Sequence, residues 1–219
     1  DKAEEERESC YNSNVIVTEN IAKVCNELDI SMLYLSTDYV FPGEGTKEYE
    51  TNDKKDPLNF YGETKLDGEY KVIDNLQKYF IVRISWVFGA NGNNFVKTML
   101  RIGKDKESIN VVSDQIGSPT YTYDLAKLLC DMIQTEKYGI YHATNESECS
   151  WAEFAEEIFK IAKYNTRVNY IKTSEYPTPA KRPLNSRLSK RSLDENGFSR
   201  LPNWKDAVKR YIESQTITF

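Results

Sequence analysis

The chain has 219 residues, with 29 Lys and Arg against 34 Asp and Glu for a net charge of −5, and it is 39% hydrophobic and 12% aromatic. That apolar content excludes a disordered chain, and the length suits one large α/β domain or two small ones around a real core. Dispersed basic residues in an acidic chain lack the basic stripe of a nucleic-acid protein, and no apolar stretch approaches a membrane span, so neither nucleic acid nor membrane is an expected partner.

The start, DKAEEERESC, is the opposite of a signal peptide and reads as solvated surface of a cytoplasmic protein. From Ser13 to Leu28, the residues Val15, Val17, Ile21, Val24, Cys25 and Leu28 recur at helical spacing, ahead of the apolar strand Met32 to Leu35. After a Gly-, Pro-, Asp- and Asn-rich loop (Phe41 to Asn59), a second helix from Tyr61 to about Leu76 precedes the strand Phe80 to Ile84. Helix followed by a short buried strand, twice over, is the rhythm of a parallel sheet covered by helices. Farther on, Phe95 to Ile102 and Tyr123 to Ile133 read as helices, Ile109 to Val112 and Gly139 to Ala143 as strands. Trp151 to Ala162 is amphipathic, with Ser150 and Glu153 spaced as a capping box. A strand at Val168 to Ile171, a Pro-rich basic loop from Tyr176 to Arg191 and a helix around Trp204 to Ile212 follow. An α/β chain ordinarily opens on a buried strand, so a start on an acidic helical segment predicts a sheet lacking its first strands.

Cys10, Cys25, Cys130 and Cys149 lie far apart with no CxxC, and His142 is the lone imidazole, so no metal site and no disulfide are expected. His142 reads as a structural histidine. Chemistry must come from other groups. Tyr61 and Lys65, four apart on a helix, share a face, and an ammonium beside a phenol favours the phenolate, which predicts a Tyr61 acidified toward proton transfer. Thr37, or less favourably Ser36, supplies a hydroxyl at the C-terminal end of a strand, where open α/β sheets hold their ligands. Taken alone the same spacing describes a solvated helix face.

The strings STDYVFPG, PLNFYGETKLDGE, IVRISWVFG, NFVKTML, DQIGSPTYTYDLA and KRPLNSRLS occur in that order along the chain. In them the sequence resembles the extended short-chain dehydrogenase/reductase superfamily and, within it, the dTDP-4-dehydrorhamnose reductases. The resemblance implies an α/β fold, a Rossmann-like doubly wound parallel sheet with a smaller C-terminal α/β substrate-binding region. Residues 1–90 would form the C-terminal part of the NAD(P)-binding domain. Residues 91–219 would form mainly the substrate-binding region, with some segments returning to the first domain. It implies NADPH or NADH as cofactor, a dTDP-sugar as substrate and a homodimer. By the same resemblance Tyr61 would give a proton to the C4 keto oxygen, Lys65 would hold the nicotinamide ribose, and Thr37 would polarise the carbonyl. Ser36, Ile84 and Ser85 would lie near the nicotinamide, and Tyr39 and Trp86 against the sugar, although Trp86 reads equally as a core tryptophan. Arg182, and more weakly Arg187, would bind the pyrophosphate, and Asn94 and Gln115 would wall the nucleotide side.

Members of that superfamily begin with a strand, a Gly-rich turn and a cofactor-binding helix, and nothing in the 219 residues matches them. A polypeptide beginning at Asp1 is therefore expected to bind NAD(P)H weakly. Two other functions stay open on the sequence. One is a non-catalytic binding protein like the regulatory subunit of methionine adenosyltransferase, and the other is a reductase or epimerase of another nucleotide sugar.

Overall fold

In chain order the principal elements are α1 (Val17–Glu27), β1 (Met32–Thr37), α2 (Phe60–Asn75), β2 (Tyr79–Ile84), α3 (Phe95–Ile102), β3 (Ser108–Val112), α4 (Thr122–Ile133), β4 (Gly139–His142), α5 (Trp151–Ala162), β5 (Arg167–Ile171) and α6 (Trp204–Thr216). They are taken from a computed structural model that describes residues 1–216. The elements expected from periodicity are present, most with ends shifted by two residues or fewer, while α1 starts four residues later than expected and α6 runs four residues farther.

The main sheet is parallel, in the order β1-β2-β4, with Leu33 opposite Phe80, Thr37 opposite Ile84 and Arg83 opposite His142. Alternation along β2 sends Phe80 and Val82 to one face, against Leu125, Leu128 and Met132 of α4, and Ile81 to the other, against Ala22, Cys25, Val72 and Leu76 of the α1–α2 layer. Helices thus cover both faces, as in a doubly wound sheet. A separate core joins α3, α5 and α6 through Val96, Met99, Phe154, Ile158, Trp204 and Val208, beside the parallel pair β3–β5. The expected capping box holds α5, with Ser150 Oγ accepting from Glu153 N at 3.1 Å and the Glu153 carboxylate accepting from Ser150 N at 2.7 Å.

Two expectations change. The apolar positions of α1 do not share one buried face: Thr18, Ala22 and Cys25 pack inward, while Val17, Ile21, Val24 and Leu28 are 47–64% exposed. Among the described residues β1 has a strand partner on one side alone. The acidic start is also more than solvated surface. Short helical turns from Lys2 to Tyr11 and a π-helical turn, Asn12–Ile16, run into α1. The Glu4 carboxylate accepts from Phe60 N at 2.8 Å and so caps α2, and that bond lowers its pKa. Asp1 accepts from Ala180 N at 3.1 Å and ties down the Pro-rich loop.

Beneath the ends of β1 and β2 lies a buried polar network. Arg83 donates from Nε and Nη2 to the two oxygens of Glu69, at 2.9 and 2.7 Å, with both side chains removed from solvent. Its Nη1 donates to Thr51 O at 2.9 Å and faces His142 Nε2 at 3.3 Å. His142 Nδ1 lies 3.2 Å from Ser189 O, and burial, then the nearby Arg83 guanidinium, hold the ring well below the usual imidazole pKa and therefore neutral. His142 is structural, as expected. Ser36 completes the network by donating to Glu69 at 2.5 Å.

Arg83→Met leaves Glu69 as an uncompensated buried charge, and its expected cost is about 3–5 kcal/mol in urea unfolding. A loss below about 1 kcal/mol, the scale of a surface pair, contradicts the structural role given to this network.

Candidate active site

The parallel strands β1 and β2 end side by side at Thr37 and Ile84, and a cleft of about 310 Å³ opens over them, lined by residues 35–39, Tyr61, residues 84–87 and Trp151. Past Thr37 the chain turns into a short 3₁₀ segment, Asp38–Val40, capped by Thr37 Oγ, which accepts from Tyr39 N at 3.2 Å. On the opposite side α2 begins at Asn59, whose side chain accepts from Gly62 N at 2.9 Å and donates to Lys181 O at 2.9 Å. Gly62 is needed there, because a Cβ would stand 2.3 Å from Tyr39 O. That close approach sets the Tyr61 ring edge-on to Tyr39, with centroids 5.8 Å apart.

Tyr61 and Thr37 therefore share the cleft, but the expected electrostatics are reversed. Burial, then the Asp38 carboxylate, raise the Tyr61 pKa, and Thr37 offsets this in part. Lys65 lies over the Tyr34 ring at 3.9 Å from its centroid, and burial lowers its ammonium to a pKa of about 8. The helical spacing places Tyr61 and Lys65 on one face without lowering the phenol pKa. Tyr61 is consequently held protonated.

Asp38 is a site residue to which the sequence reading gave no role, although it stands between Thr37 and Tyr39 in the STDY string. Its Oδ1 accepts from Thr37 Oγ at 3.1 Å, while buried Oδ2 has no hydrogen-bond partner. Burial raises its pKa to about 6, against the opposing pulls of Ser186 and Thr37.

Of the remaining expected residues, Tyr39, Trp86, Ile84, Ser85 and Ser36 line the cleft. Ser36 donates to Glu69 and Ser85 to Ser118 O at 2.8 Å, while Thr37, which donates to Asp38, is the hydroxyl that acts on Tyr61. Tyr39 is pushed up to about 12 by burial and Asp38, and Arg182 opposes the shift. Arg182 reaches both a small recess beside Tyr39 and Tyr61 and a larger cleft of about 740 Å³ between α3, β3 and α5. Its ion pair to Asp1, at 3.1 Å, is more than a third exposed, so an incoming anion meets little competition. Gln115 lines the larger cleft, with Oε1 accepting from Trp151 Nε1 and Nε2 donating to Thr173 Oγ, each at 3.1 Å.

Two residues sit elsewhere than expected. Asn94 caps α3, accepting from Lys97 N at 3.0 Å and donating to Gly89 O at 2.9 Å, and the wall it was expected to form is supplied by Phe95, Thr98 and Met99. Arg187 is held by Glu148 at 2.5 Å and Asn185 at 3.0 Å, and it lines neither cleft. In both cases a local polar partner satisfies the side chain. Among the described residues no group of three His, Cys, Asp or Glu could hold a metal, and no helix is long and apolar enough to cross a membrane.

The RmlD substrate binding domain family matches residues 1–217. The chain belongs to that family. It is 40% identical to the dTDP-4-dehydrorhamnose reductase of Salmonella typhimurium, over 100% of this chain and 77% of that protein. Among solved structures it resembles the dTDP-4-dehydrorhamnose reductase of Bacillus anthracis in complex with NADP, with a TM-score of 0.95 and 42% identity over 98% of this chain and 76% of that one. The Clostridium acetobutylicum ortholog gives a TM-score of 0.96 at 39% identity, over 99% and 77% of the two chains. The chain thus spans about three-quarters of the length of these RmlD-family relatives.

The Asp38 carboxyl gives a pH signature with a definite sign. Unfolded, it loses its proton near 3.8, and folded, near 6, so in that window the folded form binds more protons and stability falls as pH rises. Urea unfolding of Asp38→Asn against the parent from pH 4 to 7 is expected to show the variant gaining about 1–3 kcal/mol in relative stability. Parallel curves contradict a buried Asp38 that ionises inside the fold.

Proposed function

We propose that this chain carries the substrate site and proton donor of an NADPH-dependent reductase that converts the C4 keto group of dTDP-4-dehydro-L-rhamnose to the alcohol of dTDP-L-rhamnose. The observation that carries the reading is the meeting of Thr37 and Tyr61, with Lys65 one turn along α2, at a sugar-sized cleft that continues past Trp151 and Arg182 into a larger one. The RmlD-family membership and the similar dTDP-4-dehydrorhamnose reductases support it.

Tyr61 is the proton donor in this reading. Its raised pKa keeps the phenol protonated, with Thr37 beside it opposing part of the rise. As the alkoxide forms, the Tyr61 proton passes to it. Lys65, in no ion pair among the described residues, is an ammonium available to two ribose hydroxyls, a donor that fits the nicotinamide ribose. Backbone groups of Ile84 and Ser85 at the end of β2 would border the nicotinamide. Bound NADPH supplies the hydride to C4. Tyr39 and Trp86 would flank the sugar, and Arg182 would hold the pyrophosphate through its planar fork.

Two finer proposals go with this reading. A cytoplasmic location is supported by four unpaired thiols, which suit a reducing compartment. A homodimer is the assembly that the family resemblance implies.

Tyr61→Phe is expected to lower kcat by about 10²–10⁴, the usual contribution of a positioned proton donor, in an assay following NADPH absorbance. Affinity for dTDP-L-rhamnose is expected to stay close to that of the parent. Unchanged turnover removes Tyr61 from the reaction.

A further inference from the structure

Trp86 is a non-glycine residue with φ of 49°, the left-handed region that bulky side chains avoid. Such a conformation persists only where the surroundings over-determine it, and it clusters at sites of function. Two neighbours hold it here. Gly117 leaves room for the indole, since a Cβ there would stand 3.1 Å from Trp86 Cε2. Trp151 stacks on Trp86 with centroids 3.8 Å apart and planes 14° from parallel.

Trp151 is itself fixed. Its Nε1 donates to Gln115, Gln115 donates to Thr173 Oγ, and Thr173 Oγ donates to Asp114 Oδ1 at 2.6 Å. The ring also packs against Phe95 at 4.7 Å, and the backbone sits at the first position of the capped helix α5. Trp151 is the residue common to the walls of the small cleft over Tyr61 and the large cleft of about 740 Å³. A rigid indole between two clefts fixes how a bipartite ligand divides between them.

We propose that Trp151 is a positioning residue that selects for the sugar end of the nucleotide-sugar substrate, partitioning the two clefts and holding the Trp86 indole where it meets the sugar ring. The proposal rests on the nucleotide-sugar reading above and deepens it. It assigns discrimination of the sugar, as distinct from the nucleotide, to a residue that acts through Trp86.

The test uses Trp151→Leu, which keeps an apolar group but removes the stack, and Trp151→Phe, which keeps an aromatic ring and loses the bond to Gln115. Calorimetric titration with dTDP and with dTDP-L-rhamnose separates the two ends of the ligand, and kcat and KM are measured alongside. In Trp151→Leu the affinity that the sugar adds over dTDP alone is expected to fall about three- to tenfold, the range of an aromatic contact, with a smaller loss for dTDP itself. kcat/KM should fall in step, and Trp151→Phe should recover most of both. Equal losses for dTDP and dTDP-L-rhamnose, or no loss for either, overturn the proposal. A parent protein that binds neither ligand overturns the nucleotide-sugar reading itself, and the two failures are therefore distinct.

Discussion

Tyr61, Lys65 and Glu69 follow one another at intervals of four on α2, so a constraint on Glu69 fixes the face that carries the other two. That constraint is the ion pair with Arg83, two near-parallel hydrogen bonds with no solvent access. Arg83 precedes Ile84 at the end of β2, and Ser36, which also bonds Glu69, precedes Thr37 at the end of β1. The network therefore lies one residue below each strand end that opens into the cleft. It sets the height of the helix against both strands, and with it the meeting of Tyr61 and Thr37. A buried pair of this kind is weak as a source of net stability, because desolvation offsets most of its attraction. Its directional bonds can nevertheless specify register, which loosely directional apolar packing does poorly.

The carboxylate between Thr37 and Tyr39 gives the cleft its electrostatic character. Asp38 raises the Tyr61 pKa, shares in raising that of Tyr39, and takes the Thr37 hydrogen. A cation close to Tyr61 would favour the tyrosinate, whereas this arrangement favours the phenol. For a reduction that ends with a proton on an alkoxide, the protonated form is the useful resting state. Lys65, kept off the phenol by its seat over Tyr34, remains available to a second ligand.

Much of this was legible in the sequence because it is local. Periodicity locates the helices and strands, Ser150 and Glu153 announce a cap, and the Tyr61–Lys65 spacing puts both on one face of a helix. What was not legible depends on contacts distant in the chain. Arg187 looked like a ligand by its place in a motif string, yet it is held by Glu148, 39 residues away; Asn94 is the local exception, a helix cap whose motif string suggested a ligand. The sign of the Tyr61 shift follows from desolvation at the cleft and from Asp38, neither of which its own helix reveals. Trp151 read as the first residue of an amphipathic helix, and nothing local indicates that it stacks on Trp86, 65 positions earlier. The acidic start read as solvent-facing because Asp and Glu usually are, whereas Glu4 caps a helix that begins 56 residues later.

The central claim is that the Glu69–Arg83 pair places the face of α2 that carries Tyr61 and Lys65, beyond whatever it adds to stability. Replacing both partners together, Glu69→Leu with Arg83→Met, removes the register while avoiding an orphaned buried charge, so the fold can survive it. The most direct measurement is kcat of this double variant once urea unfolding shows that it is folded. The account predicts a folded protein that still binds dTDP and has lost about tenfold or more in kcat, the scale expected when reacting groups shift by a fraction of an ångström. A folded double variant with the parent's kcat would contradict it and would leave the pair as an interchangeable part of the core.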